Sequence, residues 1–219
     1  MKVILFGATG MVGQGVLREC LADAVVTQVL VIGRSTTGEV NEKLREIIHK
    51  NFEDFSPLEN QLSGYDACFF CLGVSSAGMK EQDYRHITYD FTLAAAKTLA
   101  KLNPQMTFIY VTGAGTDSNE KVRMMWARVK GATENALLSL PFKAAYMFRP
   151  GVIQPLDGIV PKNKWLRILL VFLGPLFPLM KWLFPRHITT TRLIGQAMIK
   201  AARESYSKKL VESWDINQL

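Results

Sequence analysis

Lys2-Val-Ile-Leu-Phe6 runs straight into Gly7-Ala-Thr-Gly10-Met-Val-Gly13. A short apolar run followed by glycines at this spacing predicts a strand, a tight turn and a helix opening on the turn. Each glycine has its own task. Gly7 allows the sharp strand-to-helix turn, Gly10 removes a Cβ that would hold a pyrophosphate off the backbone, and Gly13 lets the helix pack closely on the sheet. The unpaired amides of the helix N-terminus then face the phosphates, with the helix dipole favouring negative charge. Thr9, Met11 and Val12 complete the lining of this turn.

Outward from this unit, apolar runs alternate with amphipathic stretches. Strands are expected at Lys2–Phe6, Gln28–Ile32, Ile47–Asn51, Ala67–Leu72, Thr107–Thr112 and Ala144–Phe148. Helices are expected over Gly10–Ala22, Asp83–Leu102 and Val122–Ser139. Val-, Ile- and Phe-rich strands separated by helices predict an α/β fold, a doubly wound parallel sheet with helices on both faces. Ligands of such a Rossmann sheet lie beyond the carboxyl ends of its strands. At 219 residues one domain is expected, with the core over about 1–150 and a substrate-side and C-terminal part over about 151–219.

The second strand ends Val31-Ile-Gly-Arg34-Ser35. NAD-preferring sites commonly carry Asp or Glu here, to bond the ribose 2′-hydroxyl. Arg34 offers a guanidinium for a 2′-phosphate instead, with Ser35 beside it, so NADP(H) is favoured over NAD(H). Asp54 follows the third strand, placed either to meet the adenine or to form a turn. Leu72-Gly73-Val74 ends the fourth strand and should border the ribose.

With these residues in hand, the chain resembles an atypical short-chain dehydrogenase/reductase, of the branch containing the Tat-interacting oxidoreductase-like proteins. The resemblance runs over nearly the whole chain. It rests on Gly7–Gly13, Cys71-Leu-Gly73, Val111-Thr-Gly-Ala-Gly115, Lys130-Gly131 with Glu134, and Arg149-Pro-Gly151. It implies a seven-stranded parallel sheet and NADP(H). It also implies a Tyr-x-x-x-Lys pair on the helix after the fifth strand, where a spacing of four puts both side chains on one face. In that family the lysine lowers the tyrosine's pKa and holds the nicotinamide ribose, the tyrosine exchanges a proton with the substrate oxygen, and a Ser or Thr orients the carbonyl. Thr112 and Lys130 match two of these roles. The tyrosine position is Trp126, whose indole N–H can donate a hydrogen bond but does not titrate usefully. Tyr84, Tyr89, Lys130 and water are the alternative proton sources, and chemistry that needs no proton at that point is the other option. The resemblance therefore implies an NADP(H)-dependent oxidoreductase of a small apolar carbonyl-type substrate. A non-catalytic NADP(H)-binding regulator stands beside it.

Composition sets the remaining bounds. Apolar residues make up 48% and charged residues 21%, with a formal net charge of +7. Lys and Arg form no run of five or six, which points away from a nucleic-acid partner. Cys68 and Cys71 form a C-x-x-C within one strand, where side chains three apart face opposite sides of the sheet. With Cys20 they read as buried thiols in a reducing compartment. His49, His86 and His187 form no metal-ligand spacing. The opening apolar run is strand-length rather than secretory, so the chain is expected in the cytoplasm, free or at a membrane periphery.

Arg149 follows the sixth strand, set to contact an anion or to pair with a carboxylate. The most unusual stretch is 164–184, whose uncharged core Ile168–Met180 is shorter than the ~20 residues of a membrane span and is interrupted by Pro175 and Pro178. Its apolar side requires cover. Three covers fit: a lid over a hydrophobic substrate, a homodimer interface, or shallow membrane attachment with Trp165, Trp182, Lys162, Lys164, Lys181 and Arg186 at the headgroups. Thr189-Thr-Thr then caps a helix, and the tail Lys209–Ile216 adds a strand or docking segment.

Overall fold

The computed structural model describes residues 1–161, 167, 168, 170 and 173–219. Seven strands form one parallel sheet. In chain order the strands are β1 (Lys2–Phe6), β2 (Gln28–Gly33), β3 (Leu44–Ile48), β4 (Ala67–Phe70), β5 (Thr107–Val111), β6 (Ala144–Arg149), the short β7 (Val152–Gln154) and β8 (Ile188–Thr190), and β9 (Leu210–Glu212). The sheet order is β3-β2-β1-β4-β5-β6-β9, and β7 and β8 pair separately, also in parallel. Helices α1 (Met11–Ala22), α2 (Glu59–Leu62), α3 (Glu81–Arg85), α4 (Phe91–Leu102), α5 (Met125–Leu138), α6 (Phe177–Leu183), α7 (Thr191–Glu204) and α8 (Ser213–Gln218) accompany them.

The period-two alternation of each strand divides the core. Val3 and Leu5 of β1 meet α1, α7 and Ile216 of α8, while Ile4 and Phe6 meet Leu62, Leu93, Leu99 and Leu137 on the opposite face. Both faces of the sheet are therefore buried, and fully burying each large apolar side chain contributes about 1.5–3 kcal/mol. Cys68 packs on the second face and Cys71 on the first, as their spacing requires. Burial raises the pKa of both thiols.

The strand order reverses at β1, because the chain winds outward through β2 and β3 and then returns to β4. The crevice at that reversal lies between the carboxyl ends of β1 and β4. Helix α1 crosses over it and is locked in place by α7. A Cβ on Gly15 would sit 2.6 Å from the Thr191 side chain, and one on Gly195 would sit 2.9 Å from Glu19 Cβ. The segment from Ile188 onward is thus integral to the body: α7 covers one face and β9 pairs with β6.

Three expectations need correction. The third strand is Leu44–Ile48 rather than Ile47–Asn51. It is a half-exposed edge strand, so its position is decided by pairing with β2 (Val29 opposite Leu44) and not by an apolar run. The helix expected from Asp83 starts at Glu81 and contains a π-bulge over His86–Asp90 before α4. The fifth helix starts at Met125, after an irregular stretch held by Asp117, whose carboxylate accepts from the amides of Asn119, Lys121 and Val122. The cap of α7 is the middle threonine, Thr190, whose Oγ1 accepts from Leu193 N at 3.1 Å. The tail supplies the strand β9 and then α8.

Candidate functional site

The glycine turn sits where β1 delivers it. Gly7 has φ +78°, and a Cβ there would lie 2.6 Å from the backbone of Cys71 and Leu72 at the end of β4. A Cβ on Gly13 would lie 2.1 Å from the Gly7 carbonyl oxygen. Gly13 therefore seats the helix on the turn itself. Gly10 is the least crowded, with Gly7 O at 3.3 Å from its Cβ position. Gly10 is also the extended N-cap of α1, and no side chain caps the helix. Gln14 N donates to Gly10 O at 2.8 Å and opens the helical ladder. The amides ahead of it point out of the helix end, the arrangement that receives an anion.

The ends of β2 and β4 flank this turn. Arg34 and Ser35 are exposed just beyond β2, and Leu72, Gly73 and Val74 run along the mouth beyond β4. A Cβ on Gly73 would meet open space, so that position faces the cleft. Asp54 is exposed, and its carboxylate accepts from Ser56 N at 2.9 Å. That bond holds its pKa below the usual carboxylate range and gives Asp54 a turn-forming role.

A cavity of about 720 Å³ opens along the outer flank of α1, bounded by Thr9, Gln14, Arg18, Ser35 and Asp157 among others. Arg18 is a residue that motif reading missed. Its helical spacing from Gln14 and Leu17 puts it on the cavity side, but its partner is 139 residues away. Arg18 Nη1 donates to Asp157 O at 3.2 Å, and Arg192 holds the Asp157 carboxylate at 2.6 Å. Asp157 and Gly158 both occupy the left-handed region, with φ +59° and +77°. Two arginines therefore pin a tightly turned loop over the cavity. Asp157 and Glu39 also place carboxylates on this wall.

The second group of residues lies beyond β5. Trp126, Lys130 and Glu134 are spaced four apart on α5 and so share one face. Lys130 Nζ donates to the Thr112 carbonyl oxygen at 2.7 Å. Burial, partly offset by Glu134, pulls the lysine's pKa down to about 8. The Thr112 hydroxyl donates to Glu134 Oε1 at 2.7 Å and lies 3.2 Å from Phe148 O. The hydroxyl expected to orient a substrate carbonyl is thus bonded within the protein, to a buried carboxylate and a strand carbonyl. Trp126 is half-buried, with its ring edge 3.5 Å from the Cβ position of Gly115. It covers the loop after β5 instead of filling the core. Arg149 resolves to the pairing reading. Its Nε donates to Glu134 Oε1 at 3.0 Å, its Nη2 pairs with Glu134 Oε2, and Glu134 has no exposed surface.

Of the alternative proton sources, Tyr84 is buried and its pKa is raised by that burial, which removes it from reach. Tyr89 is half-buried beneath the Arg85 guanidinium, 4.2 Å from its ring centroid. Lys130 is the lysine on this face whose pKa burial brings down toward neutral, to about 8.

No protein-family model matches the chain. Among curated proteins it is 27% identical over 152 residues to "Protein FMP52-2, mitochondrial" of Scheffersomyces stipitis, covering 68% of this chain and 65% of that protein. It is 27% identical over 155 residues to rat Protein HTATIP2, covering 69% and 62%. The match thus spans somewhat less than two thirds of these relatives' own length. Among solved structures, a putative NAD-dependent epimerase/dehydratase from Bacillus halodurans superposes with a TM-score of 0.66 at 15% identity, covering 100% of this chain and 99% of that one. The Bordetella bronchiseptica enzyme WbmG in complex with NAD superposes with a TM-score of 0.70 at 11% identity, covering 96% and 71%. The relatives correct one expectation. The FMP52 proteins are named as mitochondrial, so the cytoplasmic assignment does not stand; the apolar opening run on which it leaned is β1. The chain is a relative of the FMP52 and HTATIP2 proteins, built on the Rossmann fold of the short-chain dehydrogenase/reductase and epimerase proteins.

Proposed function

We propose that this chain binds NADP(H) at the carboxyl edge of β1, β2 and β4 and is an oxidoreductase of a small, apolar carbonyl-type substrate. The observation that carries the nucleotide reading is the turn at Gly7, Gly10 and Gly13. Cβ atoms at Gly7 and Gly13 would strike backbone, and the uncapped end of α1 aims its amides outward. Such a cradle fits a pyrophosphate. Arg34 and Ser35 support a 2′-phosphate, since the residue directly after β2 is a cation and the nearest carboxylate in the loop, Glu39, comes five residues later. Gly73 and Val74 border the ribose side.

When bound, the nicotinamide supplies or accepts a hydride. The protein's share is to hold the substrate and manage one proton. Lys130, anchored by the Thr112 carbonyl, donates a proton to the substrate oxygen in the reductive direction and takes it back in the oxidative one. Trp126 shields that region with an apolar ring. Thr112 acts through its carbonyl on Lys130 and through its hydroxyl on Glu134, as a positioning residue.

A second reading has its own support. Trp126 stands at the tyrosine position and the Thr112 hydroxyl is occupied, which suits a nucleotide-binding regulator without turnover.

Thermal unfolding with NADPH, NADH and neither tests the binding. Ligand at 100 times its Kd adds about 2.7 kcal/mol, a rise of roughly 5–10 °C at this chain length. Arg34→Glu should abolish the NADPH rise first, and stronger protection by NADH would defeat the phosphate argument. NADPH consumption with a panel of aldehydes, ketones and quinones then separates enzyme from regulator. Turnover lost in Lys130→Met supports the first, and silence across the panel supports the second.

A further inference from the structure

The apolar stretch before β8 is displayed outward. Phe177 anchors α6 in the body at 2% exposure, while Leu179 is 52%, Trp182 77%, Leu183 51% and Phe184 56% exposed. Every residue from 181 to 187 is exposed. The platform beneath is firm: Asn217 Nδ2 of α8 donates to Ile188 O at 2.7 Å and to Pro185 O at 3.3 Å. Arg186 reaches over the half-exposed Trp214 of the same helix, 5.6 Å from its ring centroid. Side chains pointing away from the body do not form a lid over this chain's own cleft.

Charge identifies what covers this face. Residues 158–202 contain seven Lys and Arg and no Asp or Glu. That stretch therefore carries the whole formal net charge of +7, and the rest of the chain is balanced. Lys181 and Arg186 flank Trp182, Leu183 and Phe184 directly. A second copy is a poor cover, because a two-fold contact sets identical patches against each other and would bring Lys181 and Arg186 of the two copies together. An anionic bilayer surface complements both properties: apolar and aromatic side chains enter the headgroup boundary while the cations meet lipid phosphates. Among the described residues no helix is long and apolar enough to cross a membrane, so the contact is with the surface. Trp165, Lys162 and Lys164, expected at the headgroups from sequence, lie outside the described residues.

We propose that the α6 face, with Trp182 and Phe184 at its centre and Lys181 and Arg186 at its rim, docks this protein on an anionic lipid surface. The docking is independent of the nucleotide reading. Vesicle flotation of the full chain tests it, with phosphatidylcholine vesicles set against phosphatidylcholine vesicles carrying phosphatidylglycerol, at low and high salt. The wild type should float with the anionic vesicles only, and release in high salt. Trp182→Ser with Phe184→Ser should weaken binding by at least about tenfold. Lys181→Glu with Arg186→Glu should weaken it more than about twentyfold. Both variants should keep the wild-type melting temperature, because the four side chains are exposed. A wild type that stays unfloated with anionic vesicles overturns the proposal. So does equal flotation of the variants, or a dimer in sedimentation velocity that Trp182→Ser with Phe184→Ser dissociates.

Discussion

Replacing Arg149 by Met should cost this protein more stability than any change to its exposed ion pairs. The guanidinium meets the fully buried Glu134 through Nε at 3.0 Å and through Nη2, and touches Ser118 Oγ at 2.6 Å and Glu212 at 3.6 Å. Met preserves most of the aliphatic stem, so little packing is lost. What remains is a carboxylate with no exposed surface whose chief counter-charge has gone. Removing one partner of a buried pair costs about 3–5 kcal/mol. At roughly 2–4 °C per kcal/mol for a chain of this length, the melting midpoint should fall by about 6–20 °C. The surface pair Lys101–Glu59 at 3.2 Å should contribute at most about 1 kcal/mol. A double-mutant cycle separates charge from packing. Glu134→Leu with Arg149→Met removes both charges together, and its cost should undercut the sum of the single changes by about 2 kcal/mol or more. Urea unfolding of the four proteins gives each value. A loss below about 1 kcal/mol in Arg149→Met, or strict additivity, would refute the view that this pair holds α5 against β6.

Other consequences follow from single distances. Gly13→Ala places a Cβ 2.1 Å from Gly7 O, so it should destabilise the fold by more than about 2 kcal/mol. Gly10→Ala meets only a 3.3 Å contact and should melt near the wild type while losing the NADPH-induced rise; a retained rise would move the pyrophosphate elsewhere. Thr112→Val removes the donor to Glu134 and should cost about 1–3 kcal/mol by urea unfolding, where a neutral result would detach Thr112 from the network. Lys130 titrates near pH 8 when folded and near 10.4 when unfolded, so the unfolded chain holds more protons between those values. Stability of the wild type relative to Lys130→Met should therefore rise from pH 7 to pH 10, and a flat difference would mean the lysine is not desolvated. If there is carbonyl reduction, its rate should fall as pH passes about 8, because the protonated amine is the donor.

Much of the fold was legible because its signals are local. A strand buried on both faces must be a continuous apolar run, as Val3–Phe6 and Phe69–Phe70 are. A turn that needs positive φ must carry glycine, as Gly7 does. The spacing of Trp126 and Lys130 likewise announces a shared helical face. The edge strand β3 was misplaced by three residues because half its side chains face solvent and only pairing with β2 sets its register.

What belonged to the sequence alone was the opening of the site: an apolar strand, a glycine turn and an unblocked helix end within thirteen consecutive residues, plus the arginine after β2. Tertiary structure decided the groups whose partners are remote in the chain. Thr112 reads as a substrate contact, and folding brings Glu134, twenty-two residues on, to accept a hydrogen bond from its hydroxyl. Arg18 reads as a helix-surface cation until Asp157 arrives from across the molecule. The 164–184 stretch announced only that it needed cover, and α6 buries Phe177 while turning Leu179, Trp182 and Leu183 outward. Hydrogen bonds and burial act between neighbours in space, and only folding determines which distant residues become neighbours.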